Sequence, residues 1–99
     1  MRLVFSTQAR ADLAQIGDYI AQDNPARALT FVDELEARSH LLTQNPLLYP
    51  VLPRYQSSGI RRLVHGNYLM LYRVEANSVI ILHVVHGAMD YEARLFPKK

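Results

Sequence analysis

Residues 79–86 read VIILHVVH, and the fold turns on whether this run is a helix or a strand. A helix would stack His83 and His86, three positions apart, on one face. A strand sends them to opposite faces, because successive side chains alternate. Val and Ile dominate the run, and β-branched side chains suit a pleated surface. The run therefore reads as a strand. Alternation places His83 with Ile81 and Val85, and His86 with Ile80, Leu82 and Val84. One zinc ion could not easily take both histidines, and the chain has no cysteine to complete a tetrahedral set. No metal and no cofactor is expected.

Working backwards, EANS (75–78) is a polar turn and YLMLYRV (68–74) is a second strand. Gly66–Asn67 is a tight turn of the kind that joins antiparallel strands, and IRRLVH (60–65) is a third. Residues 68–74 and 79–85 are apolar on both faces, so both faces of these strands should be covered. Two helices supply one cover. Ser6 is a helix N-cap, after which Ala9, Leu13, Ile16 and Ile20 recur on one helical face. Asn24 caps a second helix with Pro25 in its first turn, where the missing N–H costs nothing. Ala28, Phe31, Val32, Leu35 and Leu42 form its apolar face. The acids on these helices read as a solvated outer face, and His40 and His65 as exposed. The other face of the sheet needs the C-terminal tail or a partner.

Between helices and strands lies NPLLYPVLPRYQSSG (45–59), where Pro46, Pro50 and Pro53 rule out regular structure. RLVFS (2–6) is a short N-terminal strand. The expected architecture is α+β: β-α-α-β-β-β plus a short tail, with an antiparallel helical hairpin packed on a twisted antiparallel sheet. One domain is expected over residues 1–99.

The 99 residues are 49% apolar, enough for a core. No run approaches the roughly 20 apolar residues that span a bilayer, and the N-terminus is not a signal peptide. A cytoplasmic protein without membrane contact is expected. Residues 1–53 carry a net charge of −2 and residues 54–99 a net +4. The basic half suits an anionic partner, nucleic acid or an acidic protein segment, or simply keeps the chain soluble. Phosphate-binding glycine loops and nucleophile elbows are absent from the sequence. What remains is a basic and aromatic group: Arg61, Arg62, His65, Tyr72, Arg73, His86, Tyr91 and Arg94. Such a group could clamp a phosphodiester and move protons at a 2′-hydroxyl without a metal. As a bare pattern it reads better as the polar rim of a buried sheet.

Four stretches in order, STQARADLAQIGDYIA, NPARALTFVDELEARSHLLTQNP, GIRRLVHGNYLMLYRV and VIILHVVHGAMDYEARLF, cover nearly the whole chain. Together they resemble the RelE/ParE superfamily of bacterial type II toxins. The resemblance implies the same fold and a cognate antitoxin, ParD-like here, that wraps the toxin with helices and an extended segment. It also implies one of two activities. RelE-like members cleave mRNA on the ribosome; Arg61, Arg73 and Tyr91 would then be the candidate catalytic groups. ParE-like members poison DNA gyrase and are not known as nucleases. The chain has no lysine before Lys98, and its Tyr-Arg-Val and His-Gly-x-x-Asp segments are similar to the ParE side. A non-enzymatic gyrase inhibitor is the favoured expectation. Target or antitoxin contacts would fall on Arg61, Arg62, Tyr72, Arg73, His86, Met89, Asp90, Tyr91 and Arg94. The family commonly has arginine before the aspartate, where this chain has Met89. That substitution removes a charge and a forked hydrogen-bond donor. If that arginine contacts the target, the chain is an attenuated toxin or an inactive antitoxin-binding member; alternatively Arg94 or Arg73 compensates.

Overall fold

A computed structural model of the chain describes residues 1–54 and 56–87. The elements are β1 (Arg2–Phe5), α1 (Thr7–Ala21), α2 (Pro25–Leu42), β2 (Arg61–His65), β3 (Tyr68–Glu75) and β4 (Ser78–His86). The element order is the one expected. Both helix starts are held by the predicted caps: Ser6 Oγ accepts from the Ala9 N–H at 3.0 Å, and Asn24 Oδ1 from the Arg27 N–H at 3.0 Å. Each satisfies a first-turn donor that has no partner within its helix.

The strand order is β1-β4-β3-β2. The β2-β3-β4 meander is antiparallel, as expected, while β1 adds parallel to β4, which makes the sheet mixed. Gly66 takes φ 59°, the left-handed conformation that a tight turn asks of a glycine. The second turn is Ala76–Asn77, with Glu75 already paired to Ser78.

Alternation along β4 is not regular. Leu71 faces His83 but Tyr72 faces Ile81, so Leu82 is an extra residue in β4. Such a bulge shifts every later side chain by one position. Ile81 therefore shares a core cluster with Val84, and Leu82 packs with Val85. The expected groupings of Ile81 with Val85 and of Leu82 with Val84 are corrected by this one inserted residue.

Two apolar layers result. On the helix side, Ala9, Ile16, Phe31, Leu35 and Leu42 meet Leu63, Met70, Tyr72, Val79, Ile81 and Val84. On the far side, Leu52 of the proline-rich connection and Ile60, just before β2, cover Leu69, Leu71 and Val85. Backbone bonds fix that connection along the β2 edge: Leu52 N–H to Ile60 O at 2.9 Å and Arg62 N–H to Pro50 O at 3.1 Å. Part of the far-side cover assigned to the tail or a partner is thus supplied by Leu52 and Ile60.

Candidate functional site

Among the described residues the basic and aromatic group does not converge. Arg61 lies opposite Tyr72, and directly paired residues share a face. Tyr72 is fully buried in the helix-side core and donates its hydroxyl to Pro46 O at 3.0 Å. Burial pushes its phenol above the ordinary value, with Arg61 partly offsetting this. Arg61 Nη1 donates to Tyr49 O at 2.6 Å. Both residues hold the 46–49 segment against the sheet. Tyr72 is corrected from a contact residue to a core residue. Arg73, one position on, is on the opposite face. Its Nη2 pairs with Glu75 at 2.7 Å, and its buried Nε has no hydrogen-bond partner among the described residues. Arg62 lies opposite Leu71, a far-side core residue, so Arg62 and Arg73 share that face. His86 is exposed and meets Tyr68 edge to face, with ring centroids 5.3 Å apart. Met89, Asp90, Tyr91 and Arg94 lie outside the described residues.

His65 is not an exposed turn residue. Its ring packs on Phe31 at 5.5 Å between centroids, and its two nitrogens face α2. Arg38 Nη1 sits 3.1 Å from Nδ1 and donates to Val64 O at 2.8 Å. Arginine can only donate, so Nδ1 accepts and Nε2–H donates to Glu34 Oε1 at 2.9 Å. Glu34 also binds Arg27 at 2.7 Å. Glu34 is therefore a strut between α2 and β2 and not part of a merely solvated face. Hydrogen bonds from Arg27 and then His65 hold its pKa below the ordinary 4.5. A depressed folded pKa means a contribution present above the ordinary value and lost as pH falls through the folded one. Glu34→Gln should lower stability in the neutral region, where the ionised carboxylate contributes, and leave it nearly unchanged in acid well below about pH 4.5, so that the acid limb flattens, as checked by denaturant melts across pH.

Asp12 is the second acid that the helical pattern hides. It is 4% exposed. After Phe5, β1 leaves the sheet; Ser6 donates N–H to Ile81 O and its hydroxyl to Leu82 O. Beyond that point Asp12 Oδ2 accepts from the Val84 N–H at 2.9 Å, continuing the hydrogen bonding of β4. Gln8 Nε2 donates to Oδ1 at 2.8 Å, and His83 Nδ1 lies 3.4 Å from Oδ2 without hydrogen-bond geometry. Asp12→Ala leaves a buried N–H unpaired and should cost about 1–3 kcal/mol. Faster amide exchange at Val84 than at Met70 would localise that loss.

Two open grooves flank α1. One, of about 570 Å³, lies between α1 and the ends of β3 and β4, lined by Asp12, Gln15, Ile16, Tyr19, Asn67, Tyr68, Val84, Val85 and His86. Burial, and then the neighbouring Tyr19, raise the Tyr68 phenol above its ordinary value. The other, of about 650 Å³, runs between α1 and α2. Leu13, Ala14, Gly17, Ala21, Ala28, Leu29 and Val32 line it, with Arg10, Asp18, Asp33 and Glu36 also contributing. Leu29 is 72% exposed there. Sequence spacing found the apolar faces of both helices, and Leu13, Ile16, Ala28 and Val32 of those faces line the grooves; that these parts stay open carries no periodic signal. Among the described residues no three His, Cys, Asp or Glu side chains come together as a metal site.

Comparison with known proteins follows the fold. The chain is similar to a structure of the chromosomal ParDE toxin-antitoxin system from P. aeruginosa, with 25% identity, a TM-score of 0.75, and 87% of this chain and 95% of that one covered. It is also similar to the RelBE2 toxin-antitoxin complex from Mycobacterium tuberculosis, at 27% identity and TM-score 0.65, covering 86% and 95%. No significant sequence match is found among curated proteins. The profile of the ParE toxin of the type II toxin-antitoxin system parDE matches residues 3–91, nine-tenths of the chain. With the strand-helix-helix-meander order and the parallel β1 in place, the chain belongs to the ParE toxin family of type II toxin-antitoxin systems.

Proposed function

We propose that this chain is a binding poison of DNA gyrase in the bacterial cytoplasm, blocking replication until a cognate antitoxin neutralises it. The carrying observation is the separation of Arg61 from Arg73. Metal-free cleavage of RNA needs cations and a proton-transfer group around one phosphodiester. Arg61 faces the helix side and is committed to the Tyr49 carbonyl, while Arg73 is on the other face beside Glu75. These two cannot grip one phosphate in this arrangement. A target bound through surface contacts needs no such convergence. The likeness to a RelBE2 complex supports the competing nuclease reading, and so the two targets are tested side by side.

The antitoxin fits the groove between α1 and α2. Its apolar lining and exposed Leu29 suit an amphipathic helix, and Asp18, Asp33 and Glu36 favour basic residues on that helix. This differs from an acidic tail drawn to the basic half of the chain; the two segments could occupy separate surfaces. The experiment is a supercoiling assay with purified chain, with and without a cognate antitoxin. Inhibition that the antitoxin reverses supports the proposal. Unimpaired supercoiling at micromolar protein rejects the gyrase target.

A further inference from the structure

The end of α2 and the start of the proline-rich connection present leucines to solvent on a backbone that is tied down. Leu41, Leu47 and Leu48 are 59%, 65% and 68% exposed. Around them, Tyr72 donates its hydroxyl to Pro46 O at 3.0 Å, Arg61 Nη1 donates to Tyr49 O at 2.6 Å, and the Leu48 N–H donates to Asn45 O at 3.2 Å. Arg38 Nη2 donates to the Tyr49 hydroxyl at 2.9 Å. Apolar side chains held out on a fixed frame lose little conformational freedom when a partner covers them. Arg38 and Arg61 flank these leucines. Their hydrogen bonds go to carbonyls, the His65 ring and a phenol, and among the described residues no carboxylate neutralises either guanidinium.

A surface of matching chemistry lies on the same chain. The groove of about 650 Å³ between α1 and α2 is lined by apolar side chains, among them Leu29, 72% exposed. Asp18, Asp33 and Glu36 also line it. All three are exposed, and among the described residues their carboxylates make no hydrogen bond or ion pair; Arg10 is the one cation in the lining. Leu41 follows Glu36 by five residues, about 140° round a helix of 3.6 residues per turn, so leucines and groove lie on different sides of α2. A second copy can bring the two surfaces together where one molecule cannot. We propose that the free chain self-associates head to tail. Leu47 and Leu48 of one copy enter the α1–α2 groove of the next, and Arg38 and Arg61 face Asp18, Asp33 and Glu36. Each copy keeps one leucine surface and one groove, so the contact is heterologous and extends from copy to copy. The inference concerns the chain alone and does not depend on gyrase being the target.

The test needs neither gyrase nor antitoxin. Sedimentation velocity of the purified chain is recorded over a micromolar concentration range, at low and at high salt. Species that grow with concentration beyond a dimer are expected, and salt should weaken them, because exposed charge pairs are screened. Two variants then separate the two surfaces: Leu47→Asp with Leu48→Asp removes the leucines and leaves the groove, and Leu29→Arg spoils the groove and leaves the leucines. Each changes only exposed side chains, and a circular dichroism melt checks that each folds. Each variant alone should associate roughly tenfold or more weakly than the natural chain, as for loss of an interface anchor. Mixed in equal amounts, they should form a dimer of one of each that grows no further, since only one intact leucine surface and one intact groove remain. A natural chain that stays monomeric, a variant that associates as tightly as the natural chain, or a mixture of folded variants that stays monomeric would each overturn the head-to-tail contact.

Discussion

Tyr72→Ala should destabilise the chain by about 3–5 kcal/mol, the range for removing a fully buried aromatic side chain. Tyr72 is 0% exposed and lies in the cluster that joins both helices to the sheet. Its hydroxyl also anchors Pro46, at the start of the connection that covers the far face. Tyr72→Phe keeps the ring and removes only that anchor, so it should cost about 1 kcal/mol. Urea melts of the two variants separate the terms. If Tyr72→Phe costs as much as Tyr72→Ala, the Pro46 bond and not the ring carries the stability, and the packing account is wrong. Either loss should reduce activity only through the amount of folded protein, because Tyr72 is buried in the core.

Met89→Arg should raise potency. The family resemblance implies arginine at this position, and a hydrogen bond to a charged group contributes about 1.5–3 kcal/mol. At about 1.4 kcal/mol per tenfold change, one restored contact should lower the inhibitory concentration by roughly tenfold or more. Met89→Lys restores the charge without the planar fork, and so should recover less. Equal potency of the natural chain and Met89→Arg would show that position 89 does not face the target. Growth arrest on induced expression gives the same ranking in cells.

Sequence periodicity carried most of the fold because the features that set it are local. Ser6 and Asn24–Pro25 sit where helices must begin, and Gly66 where the chain must reverse. The far-side cover by Leu52 and Ile60 was harder to see, since prolines remove periodicity and leave only composition to read. Leu82 was read as a regular strand residue because a bulge has no signature in side-chain type; its effect appears only in pairing with β3. Asp12 and Glu34 were read as solvent-facing acids for a similar reason. An acid on a helix is usually exposed, and only the end of β1 creates the unpaired Val84 N–H that Asp12 satisfies. His65 likewise gains its partners from α2, which lies far off in sequence. Of the expected contact residues, Arg62, Arg73 and His86 are on partly or fully exposed positions, while Tyr72 was misplaced because aromatic residues in a strand carry no label for which face is buried.

The most direct test of a gyrase poison is a paired assay on one preparation of the purified chain and of Met89→Arg. Supercoiling of relaxed plasmid by gyrase is measured beside primer extension on translated mRNA. Dose-dependent loss of supercoiling, stronger with Met89→Arg and with no new mRNA 5′ ends, is the predicted result. Full supercoiling with both proteins, together with new 5′ ends at ribosome-positioned codons, would contradict the proposal and make the chain a nuclease.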